Sequence, residues 1–391
     1  MLACLDQATE AGQQTRVVTL TAAMTSLLRL DGPWTTAITR HAAAVQAARH
    51  LGDRLALANA LTDLGDVRQL TGDLSGAAQA LEGALGISRD IGDQLGQANA
   101  LNNLGRVRGA TGDQRGAAQA LEGALGISRD IGDQLGQASA LNNLGNMRGA
   151  TGDYRGAAQA LEGALGISRD IGDQLGQANA LRTLGIVRQM TGDYRGAARA
   201  LERALAICRD IGDQLGQAMS LNNLGDVRQM TGDYRGAAQV QEQALGIFRD
   251  IGSQMGQAYA LRTLGIVRRM TGDYRGAAQA LEQALHISRD ISSRLNEVET
   301  LNETGTLFRV RGDPGRATDY HRQALNLSRE IASPRDEACA LTGLGRCALA
   351  IGHTSDAAED LRQALDIFQR IGAAEAADVA AELDSLTGAD P

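Results

Sequence analysis

The chain has 391 residues, with 38 basic and 46 acidic side chains, a formal charge of −8 and a pI near 5.3. It contains no lysine, which excludes a phosphate-loop lysine, a Schiff-base lysine and a lysine general base, and is typical of a GC-rich bacterial gene. Because no basic stripe is present, we expect no binding to the phosphate backbone of nucleic acid.

The N-terminal residues are the least regular part of the chain. Residues 1–17 include acidic side chains and lack the apolar stretch of a secretory signal, so we predict a lone helix there. Residues 18–57 are predicted to form a degenerate repeat unit, because Gly32, Ala37, Ala44 and Gly52 keep the spacing of the later units.

Residues 58–372 repeat with a period of 40 residues. Segments 98–137 and 138–177 are identical at 36 of 40 positions. A Leu-Gly pair marks the units at Leu64-Gly65, Leu104-Gly105, Leu144-Gly145, Leu184-Gly185, Leu224-Gly225, Leu264-Gly265 and Leu344-Gly345, and Thr304-Gly305 takes the remaining one of the eight positions in degenerate form. Such a period indicates an array of stacked units.

Each unit is predicted to contain two helices. Apolar residues follow the helical period around Leu101 and Leu104, and again around Leu121 and Leu125. Between the two runs, Thr111-Gly112-Asp113 supplies a glycine that ends one helix and an aspartate that caps the next.

Proline supports the same helix boundaries late in the chain. Asp313-Pro314 and Ser333-Pro334 place a capping residue before a proline at the first helical position. That position does not need the missing N–H of proline. Two more helix starts are therefore predicted.

Leu101, Leu104-Gly105, Ala117, Leu121 and Ala124 form a pattern that resembles the tetratricopeptide repeat. The unit here has 40 residues against the family's usual ~34, so we expect both helices to be longer. Such long units are similar to those of kinesin light chain, of the spindle adaptors that bind GoLoco motifs and of the C-terminal arrays of bacterial NTPase regulators. The resemblance implies an all-α, right-handed α-solenoid of about nine helix-turn-helix units.

Residues 373–391 end the chain with an acidic segment. Nine acidic side chains and two arginines lie in residues 352–391. We predict a capping helix over 373–387, followed by a short tail, because an array needs a polar outer face at its ends.

The resemblance implies that the first helix of each unit lines a concave groove. With the glycine of the Leu-Gly pair as reference, positions two, three and six before it and one, four and five after it should face that groove. The candidate groove residues are Asn99, Asn102, Asn103, Arg106, Asn142, Asn143, Asn146, Asn179, Arg182, Ile186, Met190, Asn222, Asn223, Asp226, Met230, Tyr259, Arg262 and Met270.

These candidates suggest a peptide ligand. An amide side chain donates and accepts, so a row of asparagines suits the backbone of an extended peptide. Apolar side chains beside Arg182 and Arg262 suit an acidic amphipathic segment. Two alternatives stay open: asparagine also occurs in such helices without a ligand, and the apolar side chains could pack between units.

A second ladder consists of arginines that should point toward the second helix of their own unit. Its members are Arg68, Arg108, Arg148, Arg188, Arg228 and Arg268. Carboxylate or carbonyl partners are expected, and the candidates are the second-helix glutamates Glu82, Glu122, Glu162, Glu202, Glu242 and Glu282. A structural role is predicted, since an unpaired buried charge is costly.

No catalytic or metal-binding pattern is present in the sequence. The five histidines lack metal-ligand spacing and are expected at the surface, and the four cysteines show no paired spacing. We therefore predict no enzymatic activity, no cofactor, no metal site, no membrane span and a reducing cytoplasmic location.

The sequence favours a protein-interaction scaffold, monomeric or weakly self-associating, that binds an extended or amphipathic peptide segment of a partner protein. One alternative is a regulatory module that senses a peptide or a small molecule. Another is a structural protein that assembles end to end, because near-identical units could continue across chains.

Overall fold

The structure, a computed structural model, describes residues 2–25 and 34–387. Within these ranges it contains helices and no strand. The helices are α1 (Leu2–Glu10), α2 (Gln14–Ala23), α3 (Trp34–Leu51), α4 (Arg54–Leu70), α5 (Leu74–Asp90), α6 (Gln94–Ala110), α7 (Gln114–Asp130), α8 (Gln134–Ala150), α9 (Tyr154–Asp170), α10 (Gln174–Met190), α11 (Tyr194–Asp210), α12 (Gln214–Met230), α13 (Tyr234–Asp250), α14 (Gln254–Met270), α15 (Tyr274–Asp290), α16 (Arg294–Val310), α17 (Pro314–Glu330), α18 (Pro334–Ala350), α19 (Thr354–Ile371) and α20 (Glu375–Thr387). The all-α class is confirmed; Gly32, one of the residues that indicate the register of the degenerate unit, lies outside the described residues.

The 40-residue period has a simple geometric origin. Each helix from α4 to α18 has 17 residues, and successive helices are separated by a three-residue turn. Both helices of a pair are therefore longer than in the family's usual unit of ~34 residues, as predicted. The helix that carries the Leu-Gly glycine is the first helix of its pair.

The turns follow the predicted capping chemistry. Gly112 adopts a φ of +85°, a left-handed conformation that glycine tolerates best, and it ends α6. The carboxylate of Asp113 then accepts the N–H of Gly116 at 2.8 Å and begins α7. Ser333 precedes Pro334 as expected, but its hydroxyl donates to the Asp336 carboxylate at 2.6 Å instead of capping the helix.

Most helix pairs close on a leucine of the second helix and the Leu-Gly glycine of the first. Leu121 is 1% exposed, and a Cβ added to Gly105 would lie 2.5 Å from its Cγ. Glycine at this position therefore lets the leucine rest on the backbone of α6. Burial of a leucine contributes about 2 kcal/mol, and the contact recurs in pair after pair.

The chain divides into two compact units, each a stack of helix pairs. The N-terminal unit comprises Met1–Ile207, and the C-terminal unit comprises Cys208–Pro391. In the C-terminal unit α20 packs on the last pair, with Val379 only 2% exposed against Leu361 and Phe368. In the N-terminal unit α1 ends just before Gly12 and packs on α2.

The arginine ladder joins neighbouring pairs. Arg68 and Arg228 donate to the carbonyls of Gly76 and Gly236, in the second helix of their own pair, at 3.0 and 3.2 Å. The glutamate partner belongs to the preceding pair, as the 3.2 Å ion pair of Arg108 with Glu82 demonstrates. Glutamates of the predicted set are thus partners, but each belongs to the pair before its arginine, because the guanidinium lies between two successive second helices.

Two histidines contradict the expected surface location. His41 and His321 are 0% and 1% exposed, whereas His50, His286 and His353 are exposed. Both buried rings lie in second helices at the position that leucine takes in most pairs. That position holds His41, Leu81, Leu121, Leu161, Leu201, Gln241, Leu281, His321 and Leu361.

Candidate functional site

The first helices form the inner side of each unit. In the N-terminal unit α4 contacts α6, α6 contacts α8, and α8 contacts α10. In the C-terminal unit α12, α14, α16 and α18 contact each other in the same way. Neighbouring second helices whose packing is described, such as α5 with α7 or α13 with α15, make no comparable contact. In each unit, successive first helices therefore lie closer to each other than successive second helices do. The face formed by the first helices is thus the concave one.

The centre of the inner face in the N-terminal unit is an amide strip, defined by Asn99, Asn102, Asn103, Asn142, Asn143 and Asn146. Asn102 donates to the Ser139 hydroxyl at 3.0 Å, and its carbonyl accepts from Asn143 at 3.0 Å. Neighbouring first helices are thus joined through the strip. Since each amide offers two donors and two lone pairs, hydrogen-bonding capacity for a ligand is left over.

The predicted groove residues differ in how much surface they offer. Asn99, Asn146, Met190, Met230 and Met270 are exposed, and Asn222 is buried at 7% exposure. The half-buried ones are Asn102, Asn103, Arg106, Asn142, Asn143, Asn179, Arg182, Ile186, Asn223, Asp226, Tyr259 and Arg262. Asn222 is therefore poorly placed to contact a ligand, because the adjacent helices cover it.

A row of exposed apolar side chains borders the amide strip, and sequence reasoning missed it. This leucine row consists of Leu55, Leu95, Leu135 and Leu175 in the N-terminal unit and Leu215, Met255 and Leu295 in the C-terminal unit, each 45% to 59% exposed. Around the helix axis Leu95 lies about 40° from Asn99 and about 20° from Asn102, so it shares their face. The recurring Gln-Leu-Gly-Gln at the start of the first helices was the available signal.

A second apolar row lies at the opposite end of the first helices. This methionine row consists of Leu70 and Met190 in the N-terminal unit and of Met230, Met270 and Val310 in the C-terminal unit, each 41% to 58% exposed. This second row is interrupted at α6 and α8, which end in Ala110 and Ala150, so beside the amide strip the leucine row is the main apolar edge. Exposed apolar surface of this kind is a mark of interaction sites.

The inner face of the C-terminal unit carries charge in place of amides. Tyr259 donates to the Asp226 carboxylate at 2.9 Å, and the guanidinium of Arg262 lies 4.8 Å from the centre of the Tyr259 ring. Arg262 also pairs with Glu299 at 3.2 Å, and Arg269 pairs with Glu303 at 3.4 Å. The predicted residues Asp226, Tyr259 and Arg262 are therefore brought together, but mainly as partners of one another.

Burial changes the acidity of this cluster. Desolvation raises the pKa of Asp226 to about 6, although the bond from Tyr259 and the charge of Arg262 work against the rise. Desolvation also raises the pKa of Tyr259 and of Glu299 above their ordinary values. Asp226 can therefore change its charge near neutral pH.

A pocket of about 390 Å³ opens on the inner face of the C-terminal unit. It lies between α16, α18 and α20, with the buried His321 in its wall. Arg335 binds Glu375 at 2.6 Å, and the Nε atom of Arg346 lies 3.0 and 3.1 Å from the two carboxylate oxygens of Glu382. These ion pairs hold α20 against α18.

The described part of the chain offers little other chemistry. There, no group of three or more histidine, cysteine, aspartate or glutamate side chains is arranged to hold a metal ion. The four cysteines, all within the described residues, form no disulfide. No helix within the described ranges has the length and apolar character needed to cross a membrane.

These features define a class, an α-solenoid of helix pairs with a concave interaction face. A family model described as tetratricopeptide repeat matches residues 136–210, 200–250, 216–290 and 296–370, more than half of the chain. The chain belongs to the tetratricopeptide repeat family, and the resemblance seen in its sequence is confirmed. No curated protein matches it significantly.

Solved structures give the same fold. A signal transduction ATPase of the STAND class with a tetratricopeptide repeat sensor, from Pyrococcus horikoshii, is 14% identical with a TM-score of 0.65, over 95% of this chain and 55% of that one. This chain thus spans about half of that protein. The apo quorum sensor NprR from B. thuringiensis is 11% identical with a TM-score of 0.66, over 86% of this chain and 96% of that one. Aspartyl phosphate phosphatase F from Bacillus subtilis is 10% identical with a TM-score of 0.61, over 91% and 94%.

Proposed function

We propose that the chain is a non-enzymatic interaction module that binds a peptide segment of a partner along the inner face of its first helices. One observation carries the proposal: the amide strip of the N-terminal unit lies beside the exposed leucine row, here Leu95 and Leu135. The strip can pair with the backbone of a peptide, and the leucine row can receive its apolar side chains.

The spacing of the helices suits a short extended peptide. Packed helices lie about 9 Å apart, so the four first helices α4, α6, α8 and α10 extend over about 30 Å. An extended chain of about nine residues covers that length. Such a segment reaches all four members of the leucine row in this unit.

An acidic partner, which Arg182 and Arg262 suggested, receives less support. Arg262 already pairs with Glu299 and lies over Tyr259, and Arg182 also has an interaction partner. An acidic ligand would have to replace those contacts. Salt dependence of the affinity measures this charge contribution, since a charged contact weakens as salt increases.

The sensing alternative is favoured by the pocket in the C-terminal unit, which has the size of a small-ligand site. It also agrees with the fold shared with the quorum sensor NprR. End-to-end assembly has less support, because α20 covers the apolar face of the last pair.

The proposal is tested with a peptide selected from a random display library against the wild-type chain. The double variant Leu95→Ser/Leu135→Ser should weaken its binding about tenfold or more, because each leucine loses apolar contact worth about 1 kcal/mol. The matched variant Gln119→Ala/Gln159→Ala, on the exposed side of second helices, should bind as the wild type does. Equal weakening by both pairs, or by neither, contradicts the proposal.

A further inference from the structure

The inner face of the N-terminal unit repeats at a nearly constant step. Segments 98–137 and 138–177 are identical at 36 of 40 positions, so successive first helices offer nearly the same groups. Where α6 meets α8, the contact is made by short side chains, since the Asn102 amide donates to the Ser139 hydroxyl at 3.0 Å. Packed helices lie about 8–10 Å apart, and short side chains between them keep the distance from the upper end of that range. The step along the face is therefore about 9 Å.

A ligand that contacts every first helix must return to the same face of its own backbone at this step. A β-strand returns after two residues, about 6.7 Å, and an α-helix after seven residues, about 10.5 Å. A polyproline II helix has three residues per turn and rises about 3.1 Å per residue, so it returns after about 9.3 Å. Over the three steps from α4 to α10 the strand and the α-helix lose register by about 4–7 Å, whereas the polyproline II helix drifts by about 1 Å. The step therefore favours polyproline II.

Each member of the leucine row in this unit has a polar side chain one helical turn further on, four residues later and on the same face. These polar side chains are Asn59, Asn99, Ser139 and Asn179. Among the described residues, the amides of Asn59, Asn99 and Asn179 have no hydrogen-bond partner. A polyproline II backbone has no internal hydrogen bonds, so its carbonyls can accept from such donors. An apolar contact and a hydrogen-bond donor thus recur together at every step.

The turns beside the leucine row add negative charge. In the C-terminal unit the Met255 sulfur lies 3.9 Å from the hydroxyl of Ser293, which precedes the next first helix. In the N-terminal unit that place belongs to an aspartate, such as Asp133, which caps α8 beside Leu95. The arginine and the aspartate that end each second helix here balance each other, so one negative charge is left per turn. A ligand with a basic residue in each period complements this charge.

We propose that the leucine row of the N-terminal unit binds a polyproline II segment with a three-residue period, in which one residue is apolar, one is proline and one is basic. Four periods place one apolar residue on each of the first helices α4, α6, α8 and α10. Proline preforms the conformation and so lowers the entropy lost on binding. This inference rests on the proposed function, since it names the class of peptide that the same face takes.

The test is isothermal titration calorimetry of the full chain with synthetic peptides. The probe is N-acetyl-(Leu-Pro-Arg)4 amide, and its control is an isomer in which four Leu-Arg pairs precede four prolines, so that leucine has the period of a strand. We expect the probe to bind about tenfold or more tightly than the isomer. The half-length peptide N-acetyl-(Leu-Pro-Arg)2 amide should bind about tenfold or more weakly than the probe, because it loses two apolar contacts. No binding by the probe, or equal affinity of the isomer, overturns the proposal.

Variants of the leucine row locate the binding. Leu95→Ser/Leu135→Ser should weaken the probe about tenfold or more, because two of the four apolar contacts are removed. Gln119→Ala/Gln159→Ala, on the exposed side of second helices, should bind the probe as the wild type does. Unchanged affinity in the leucine variant, or equal weakening in both variants, overturns the proposal.

A second pair of substitutions isolates the basic residue of the ligand. Asp133→Asn/Asp173→Asn retains the caps of α8 and α10, because asparagine caps a helix as well as aspartate does. It should weaken N-acetyl-(Leu-Pro-Arg)4 amide several-fold and leave N-acetyl-(Leu-Pro-Gln)4 amide unchanged. An equal effect on the two peptides overturns the assignment of a basic residue to each period.

The two proposals fail in different ways. If the display-selected peptide loses affinity in Leu95→Ser/Leu135→Ser while the three-residue period binds no better than its isomer, the groove stands and the polyproline II assignment is wrong. If neither the selected peptide nor the probe responds to the leucine variant, the binding face itself is wrong.

Discussion

The inner faces of the two units are built from the same repeat, yet they differ in chemistry. The N-terminal unit contains the near-identical segments 98–137 and 138–177, and its inner face is an amide strip such as the Asn102–Asn143 pair. The C-terminal unit has diverged, and its inner face is a set of half-buried charges such as Asp226 and Arg262. Repetition thus sets the scaffold, whereas departures from the repeat create distinct sites.

The largest expected effect concerns the buried histidine of the N-terminal unit. Neither ring nitrogen of His41 has a partner among the described residues, and burial lowers its pKa from 6.5 to about 4, although Asp66 opposes the shift. Between pH 6.5 and about pH 4 the unfolded chain therefore binds a proton at His41 that the folded chain does not bind. The free energy of unfolding should fall by about 3 kcal/mol as the pH drops from 6.5 to 4.

His41→Leu should remove this loss and raise the melting temperature at every pH below 6.5. His50→Leu, which changes an exposed histidine of the same helix, is the control. Thermal unfolding followed by circular dichroism across this pH range measures both. An unchanged pH profile in His41→Leu would contradict the assigned burial.

In the C-terminal unit the acid response should be weaker. As the pH drops over the same range, the contribution of His321 to the free energy of unfolding falls. The contribution of Asp226 rises, since its pKa is raised from 3.8 to about 6. Its contribution is fully present below pH 3.8 and is lost as the pH rises through 6. Hydrogen exchange resolved along the chain, compared at pH 7 and pH 5, should therefore report a smaller loss of protection around α12–α18 than around α3–α4.

A smaller effect, about 2 kcal/mol, is expected for Tyr259→Phe. The substitution removes the donor that lies 2.9 Å from the buried Asp226 carboxylate and leaves that charge without its hydrogen bond. Because protonation relieves the charge, the destabilisation measured by chemical denaturation should be larger at pH 8 than at pH 5. Equal destabilisation at both pH values would mean that Asp226 does not change its charge between pH 5 and pH 8 in the folded unit.

The matched change in the N-terminal unit is Asn143→Ala, which removes the neutral bond to Asn102. We expect a loss of about 1 kcal/mol with no dependence on pH over the same range. Chemical denaturation at pH 8 and pH 5 measures it. A pH-dependent loss would remove the contrast between the two faces.

The smallest effect should be equal in the two units. The ion pairs Arg108–Glu82 and Arg268–Glu242 measure 3.2 and 3.0 Å and have half-exposed glutamates in both units. Glu82→Gln and Glu242→Gln should each cost less than about 1 kcal/mol, because solvent screens such pairs. Chemical denaturation at low and at high salt should show that Glu82→Gln and Glu242→Gln lose the same small amount of stability.

Much of the fold could be predicted because it depends on local sequence. Gly112 and Asp113 end and begin helices by their own backbone and side-chain chemistry, and Gly105 is explained by one contact with Leu121. Glu82 was among the candidate partners of the ladder, but its pairing with Arg108 of the next pair was not specified, because that pairing depends on the distance between successive pairs. A helical wheel describes the residues around one helix and gives no distance to the next pair.

The site was less accessible to sequence reasoning. His41 and His321 were judged by metal-ligand spacing, whereas comparison along the 40-residue register, with Leu81 and Leu121 in the same position, would have predicted burial. The groove positions chosen from the Leu-Gly reference omitted Leu95, although it lies on the same face of the helix. The pairing of Asn102 with Asn143 required coordinates, since it joins two helices.

The most direct test of the central claim is photo-crosslinking of the selected peptide to the full chain, with the crosslinked residues identified by mass spectrometry. We expect crosslinks on the inner face, at residues such as Leu95, Asn99 and Leu135 of α6 and α8. Crosslinks concentrated on the second helices, for example around Gln119 of α7, would contradict the proposed binding face.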